Sequence, residues 1–130
     1  MDDKVDYYLS ELHKGDRENA FFCLIEMPPS IIPRLVQAYH SESDPAIRAI
    51  LVEIIRQYRS PKTLRFLAEA LRDNDGEVWK TALDGIAALG GPESIRILEA
   101  EKEGLLFGGQ RNAGLRIEWI DEAIEQIANP

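Results

Sequence analysis

The chain has 130 residues, 45% of them hydrophobic and 29% charged, which suits one soluble domain with a core large enough to need no disulfide or metal staple. A single cysteine, Cys23, rules out an internal disulfide, and no apolar run approaches the roughly 18 residues of a membrane span. The net charge of −8 is carried by the two ends: residues 1–31 hold seven acids against three bases and residues 93–130 eight against four, while the middle balances. Such a field repels nucleic acid and anionic lipid and favours a basic protein, although solubility alone also explains it.

In chain order, "MDDKVDYYLSELHK" predicts a helix over residues 1–14 with Val5, Tyr8, Leu9 and Leu12 facing inward. Its acidic start is unlike the basic start of a secretory signal, so a cytoplasmic location is expected. "ENAFFCLIEM" follows as a second helix to about Met27, with Cys23 expected as a buried core thiol. Pro28-Pro29 then turn the chain into a helix carrying Ile32, Leu35 and Tyr39. Asp44-Pro45 is an N-cap followed by a proline at the first helical position, where the missing N–H costs nothing. The helix it opens shows Ile47, Ile50, Leu51, Ile54, Ile55 and Tyr58 on one face. Ser60-Pro61 restarts the chain with Leu64, Leu67 and Leu71 at helical spacing.

A repeat then becomes visible. Shifted by 31 positions, Asp44 falls on Asp75, Ile47 on Val78, Ile55 on Ile86, Tyr58 on Leu89, Pro61 on Pro92, Arg65 on Arg96 and Leu67 on Leu98. Helix start, turn and second helix coincide together, so the unit is a helical hairpin. Gly90-Gly91-Pro92 makes the stop and restart of the later copy. The copy beginning near residue 18 is looser. After the third unit comes "GLLFGGQRNAG", Gly104 to Gly114, expected as a glycine-rich insert that breaks the helices, and then "LRIEWIDEAIEQI", whose Leu115-Arg116 echoes Ile47-Arg48. One domain over 1–130 is expected. Its units are a capping helix at 1–17, hairpins at 18–42, 43–73 and 74–103, the insert at 104–114 and a capping helix at 115–130.

The pattern Asp-x-x-apolar-(Arg), a Gly/Pro turn and then "ESIRILEAE" resembles the HEAT repeat, and more narrowly the HEAT-like variety of phycobilisome lyases, over roughly residues 18–128. The resemblance implies an all-α fold, a short right-handed α-solenoid of helical hairpins with terminal capping helices, whose second helices line a concave face. It implies protein binding in most branches, nucleic-acid binding in some, and enzymatic or lyase-accessory work in a few. Trp79 stands where the pattern expects arginine, which leaves the usual inter-repeat ion pair open at that position.

Catalytic signals are weak. "GQRNAGLR" has the glycine spacing of a phosphate loop but continues with Leu115-Arg116 instead of Lys-Ser/Thr and follows no strand. "DNDGE" resembles a calcium loop whose two end ligands would be Leu71 and Ala82, so it is expected as a turn and helix cap. His13 and His40 lie in different units, and "HSESD" is a loop of solvated side chains. Glu118, Asp121, Glu122 and Glu125 form one stripe, expected as a solvated face or an acidic contact surface. No catalytic residue, cofactor or metal is expected.

The candidate contact residues are Arg65, Glu69, Arg72 and Arg96 on the second helices, together with Trp79, Leu106, Phe107 and Arg111. Arg65 and Arg96 occupy equivalent places and form either an ion-pair lattice with Glu69 or a binding ladder. Trp79 is either an exposed anchor or a cover for the next repeat. Leu106 and Phe107 either close the end of the core or dock into a partner. The expected function is a non-enzymatic protein-binding module, in its narrower form a stoichiometric neutraliser of a basic partner such as a cationic nuclease toxin. The alternatives are a lyase-accessory or small-ligand-binding subunit, and a nucleic-acid-binding protein that the acidic charge disfavours.

Overall fold

A computed structural model describes residues 3–109 and 112–130. The described chain is all-helical. It runs α1 (Asp3–Lys14), α2 (Arg17–Ile25), α3 (Ile32–Ser41), α4 (Pro45–Arg56), α5 (Leu64–Ala70), α6 (Gly76–Leu89), α7 (Gly91–Gly108) and α8 (Ala113–Ala128), with short 3-10 turns at Pro29–Ile31 and Pro61–Thr63 leading into α3 and α5.

Local chemistry sets the starts of these helices. Asp16 accepts the Asn19 N–H at 3.0 Å, Asp44 the Ala46 N–H at 2.9 Å and Asp75 the Val78 N–H at 3.2 Å, each satisfying a donor that the first helical turn leaves open. The turns before α5 and α7 use a residue with positive φ. Gly90 supplies φ 64 without strain between α6 and α7, while its counterpart one repeat earlier, Arg59, adopts φ 49 with a side chain attached.

The helices lie in two rows. First helices α2, α4, α6 and α8 stack side by side, and α5 packs along α7 in the row of second helices. Between the rows, the tightest packing joins each second helix to the first helix of the following unit: α3 to α4, α5 to α6 and α7 to α8. α1 packs on α2 in the same manner, so it occupies a second-helix position. One continuous core threads both rows through Leu24, Leu35, Leu51, Ile55, Leu67, Ile86, Leu98 and Ile120. Burying a leucine such as Leu67 or Leu98 contributes roughly 1.5–3 kcal/mol. Because those contacts cross unit boundaries, no hairpin is stable by itself. At Gly85 a Cβ would stand 2.9 Å from the Cβ of Arg56, so the close approach of α4 and α6 there requires glycine.

Two expectations are revised, at Gly104 and at Cys23. The glycine-rich stretch does not break the helix at Gly104: α7 runs through it to Gly108 and α8 starts at Ala113, with Gly109 and Asn112 left-handed at φ 63 and φ 61. Gly104 costs a helix about 1 kcal/mol. The packing of Leu98 and Leu105 on one buried face, seven residues apart, outweighs that cost. The inward face of α1 is as expected, with Val5, Leu9 and Leu12 buried in the core and Tyr8 half-buried against it. Cys23 is half-buried, with its thiol 3.9 Å from the Asn19 side-chain oxygen.

Candidate functional site

The densest polar cluster is built where three units meet, around Asp73. Arg48 on α4 forks onto it, Nε donating to Oδ2 at 3.0 Å and Nη2 to Oδ1 at 3.2 Å. The Tyr39 hydroxyl donates to Oδ2 at 2.6 Å, and the Asp75 N–H donates to Oδ1 at 2.9 Å. From α8, the buried Arg116 donates to the carbonyls of Leu71 at 3.0 Å and Asp73 at 2.6 Å. Burial opposes the Asp73 charge, but the hydrogen bonds from Arg48, Tyr39 and the Asp75 N–H outweigh it and hold its carboxyl below the usual carboxylate range. Burial first, then the bond to Asp73, pushes the Tyr39 phenol well up. Burial alone pulls the Arg116 guanidinium down. These bonds fasten α3, α4, α6 and α8 together, although the buried Arg116 Nε has no hydrogen-bond partner among the described residues.

Asp73 was not singled out from the sequence beyond its place in the "DNDGE" turn. A signal existed: Glu42 lies one repeat earlier and accepts the Asp44 N–H at 3.0 Å just as Asp73 accepts that of Asp75. An acid two residues before the cap is therefore part of the repeat.

Along the second helices, polar side-chain contacts join each unit to the next at a constant offset of 29 residues. His13 meets Glu42 at 2.7 Å, His40 meets Glu69, and Arg72 meets Glu101 at 3.0 Å. The expected lattice of Arg65 and Arg96 with Glu69 does not form. Glu69 is taken by His40, Arg96 pairs with Glu93 of its own helix, and Arg65 is exposed with no ion pair among the described residues. Arg65, Glu69 and Arg72 do share one open groove of about 670 Å³ between α5 and α7, with Leu64 and Ile97 in its walls.

Trp79 is 2% exposed and is no surface anchor. Its ring meets Trp119 of α8 edge to face, centroids 5.9 Å apart, and the Arg116 guanidinium lies 5.0 Å from its centre. Replacing the repeat's arginine with tryptophan at this position covers the next first helix. Trp119, by contrast, is 37% exposed, and the Lys80 ammonium sits 4.7 Å from its ring centre.

At the end of α7 the apolar triplet divides. Leu105 enters the core, while Leu106 and Phe107 are 60% and 85% exposed. Arg111, the remaining candidate, lies outside the described residues. The stripe of Glu118, Glu122 and Glu125 is exposed and unpaired among the described residues, and Asp121 meets Lys102 at 2.7 Å. Among the described residues no three histidine, cysteine or acidic side chains are placed to hold a metal ion, and no helix is long and apolar enough to cross a membrane.

The family model described as HEAT repeats matches residues 32–101, more than half of the chain. The chain belongs to the HEAT-repeat family. No curated protein and no solved structure matches it. The HEAT match runs from the start of α3 into α7, so it takes in Tyr39, Arg48 and Asp73 of the cluster but not Arg116, together with Trp79 and the groove at Arg65. α1, α2, α8 and the exposed pair Leu106-Phe107 lie outside it. HEAT repeats generally mediate protein–protein contacts through the extended surfaces that stacking leaves open.

Proposed function

We propose that this HEAT-repeat chain is a non-enzymatic protein-binding module acting in the cytoplasm. On this reading it is a short right-handed solenoid closed at its ends by α1 and α8, and its acidic surface selects a basic partner that it neutralises one to one. The observation that carries the reading is the exposure of Leu106 and Phe107. Two large apolar side chains stand in solvent on the last turn of α7, the longest helix among the described residues, directly after a residue that anchors that turn in the core. Large apolar side chains presented on a helix can bury much of their surface in a partner's pocket, which is how interface anchors gain their energy. Arg65, exposed beside Glu69 and Arg72 in the α5–α7 groove, supplies a charged contact on the same row of helices.

The test is capture from the native cell lysate with a tagged protein, washed at low and at high salt. The wild type retains a partner with a basic isoelectric point that high salt strips. A Leu106→Ser, Phe107→Ser variant, folded by circular dichroism, loses it. Equal capture by both proteins removes the α7 end from the interface, and an acidic partner indifferent to salt contradicts the charge selection.

A further inference from the structure

Exposed carboxylates without an ion-pair partner occur on both rows among the described residues. In the second-helix row Glu101 pairs with Arg72 and Glu42 and Glu69 contact His13 and His40, while Glu99 and Glu103 of α7 are exposed with no ion-pair partner among the described residues. In the first-helix row Glu77 and Asp84 of α6 and Glu118, Glu122 and Glu125 of α8 are exposed and have no ion-pair partner among the described residues. Exposed carboxylates without an ion-pair partner among the described residues therefore line α6 and α8 as well as the second-helix row.

A groove of about 290 Å³ lies between those two helices. Leu83, Ala87 and Ala123 give it an apolar lining, the Trp119 ring forms part of its wall, and Asp84 and Glu122 contribute the charge. It is slightly smaller than the roughly 300 Å³ at which pockets for whole small molecules begin, a size that suits one long side chain. Trp119 packs edge to face on the buried Trp79, and the Lys80 ammonium lies 4.7 Å from its ring centre, within cation–π distance.

We propose that this groove receives an arginine side chain from the basic partner protein. The methylenes of the arginine pack along Leu83, Ala87 and Ala123, the flat guanidinium stacks on Trp119, and Asp84 and Glu122 accept its N–H groups. Arginine fits better than lysine because a planar cation both stacks and donates in a fork, whereas an ammonium is a strongly hydrated point charge. The inference rests on the protein-binding reading and adds to it a second contact, on the opposite row of helices, and the chemistry recognised there.

The probe is a five-residue peptide, acetyl-Ala-Ala-Arg-Ala-Ala-amide, titrated into the full chain and followed by two-dimensional NMR. The control replaces arginine with citrulline, its uncharged isostere. With the arginine peptide, the Trp119 indole signal and the amides of Asp84 and Glu122 shift together to saturation. The citrulline peptide leaves them unmoved, and an Asp84→Asn, Glu122→Gln variant binds about tenfold more weakly or worse. Equal binding of both peptides overturns the proposal. So does a shift spread evenly over Glu77, Glu118 and Glu125, which would mark diffuse attraction to an acidic surface. The titration needs no partner, so its failure beside a successful lysate capture removes this groove and leaves the protein-binding reading standing.

Discussion

Arg48 and Asp73 lie 25 residues apart in the chain and meet as a two-bonded fork, 3.0 and 3.2 Å, that ties the first helix of one repeat to the cap of the next. The Asp73 side chain is 8% exposed and that of Arg48 19%, so water competes little for either charge. Truncating Asp73 leaves Arg48 and the Tyr39 hydroxyl without their acceptor. Asp73→Ala is expected to cost about 2–3 kcal/mol in urea unfolding, the range for hydrogen bonds to charged groups. A cost below about 0.5 kcal/mol would mean that the fork is incidental.

The same carboxylate sets a pH dependence. Its folded-state pKa lies below the ordinary value, so its contribution is complete above the unfolded pKa of about 3.9 and is lost as pH falls through the folded value. The stability difference between wild type and Asp73→Asn is expected to be flat from neutral pH down to about 5 and to shrink below about 4. A difference that grows on acidification would contradict the assignment.

Arg59 and Gly90 occupy the same turn in successive repeats, both at positive φ. Gly90→Ala is expected to cost about 1–2 kcal/mol, the penalty of a Cβ in the left-handed region. Arg59→Gly relieves that strain but frees the unfolded chain, so its net effect is expected within about 1 kcal/mol of zero. Thermal unfolding of the two variants separates these outcomes.

Trp79 and Phe107 were both candidates for partner contact, and they are expected to part in experiment. Trp79→Ala empties a buried site against Trp119 and Arg116 and is expected to cost about 3–5 kcal/mol. Phe107→Ser, at 85% exposure, is expected to change stability by no more than about 0.5 kcal/mol. A stability loss at Phe107 comparable to that at Trp79 would place its ring in the core.

The repeat was legible because turn and cap signals recur at one spacing: Asp44 and Asp75 do cap their helices, and Pro61 and Gly90-Gly91 do mark the turns. Gly104 misled because local propensity argues against helix there, while the buried face of Leu98 and Leu105, a tertiary effect, holds the helix together. Trp79 was ambiguous for a related reason. Its burial depends on Trp119, a residue 40 positions later whose place in the stack no local pattern reveals. The Asp73 cluster gathers donors from four segments. Its members could be found in the sequence only by asking which acid recurs two residues before each cap, as Glu42 and Asp73 do.

The most direct test of the central claim is calorimetric titration of the captured partner into the purified protein. Saturation at one to one, weakening with added salt and at least about tenfold weaker with the Leu106→Ser, Phe107→Ser variant, is the predicted result. Heat of binding that is indifferent to salt and identical for both proteins would contradict the account.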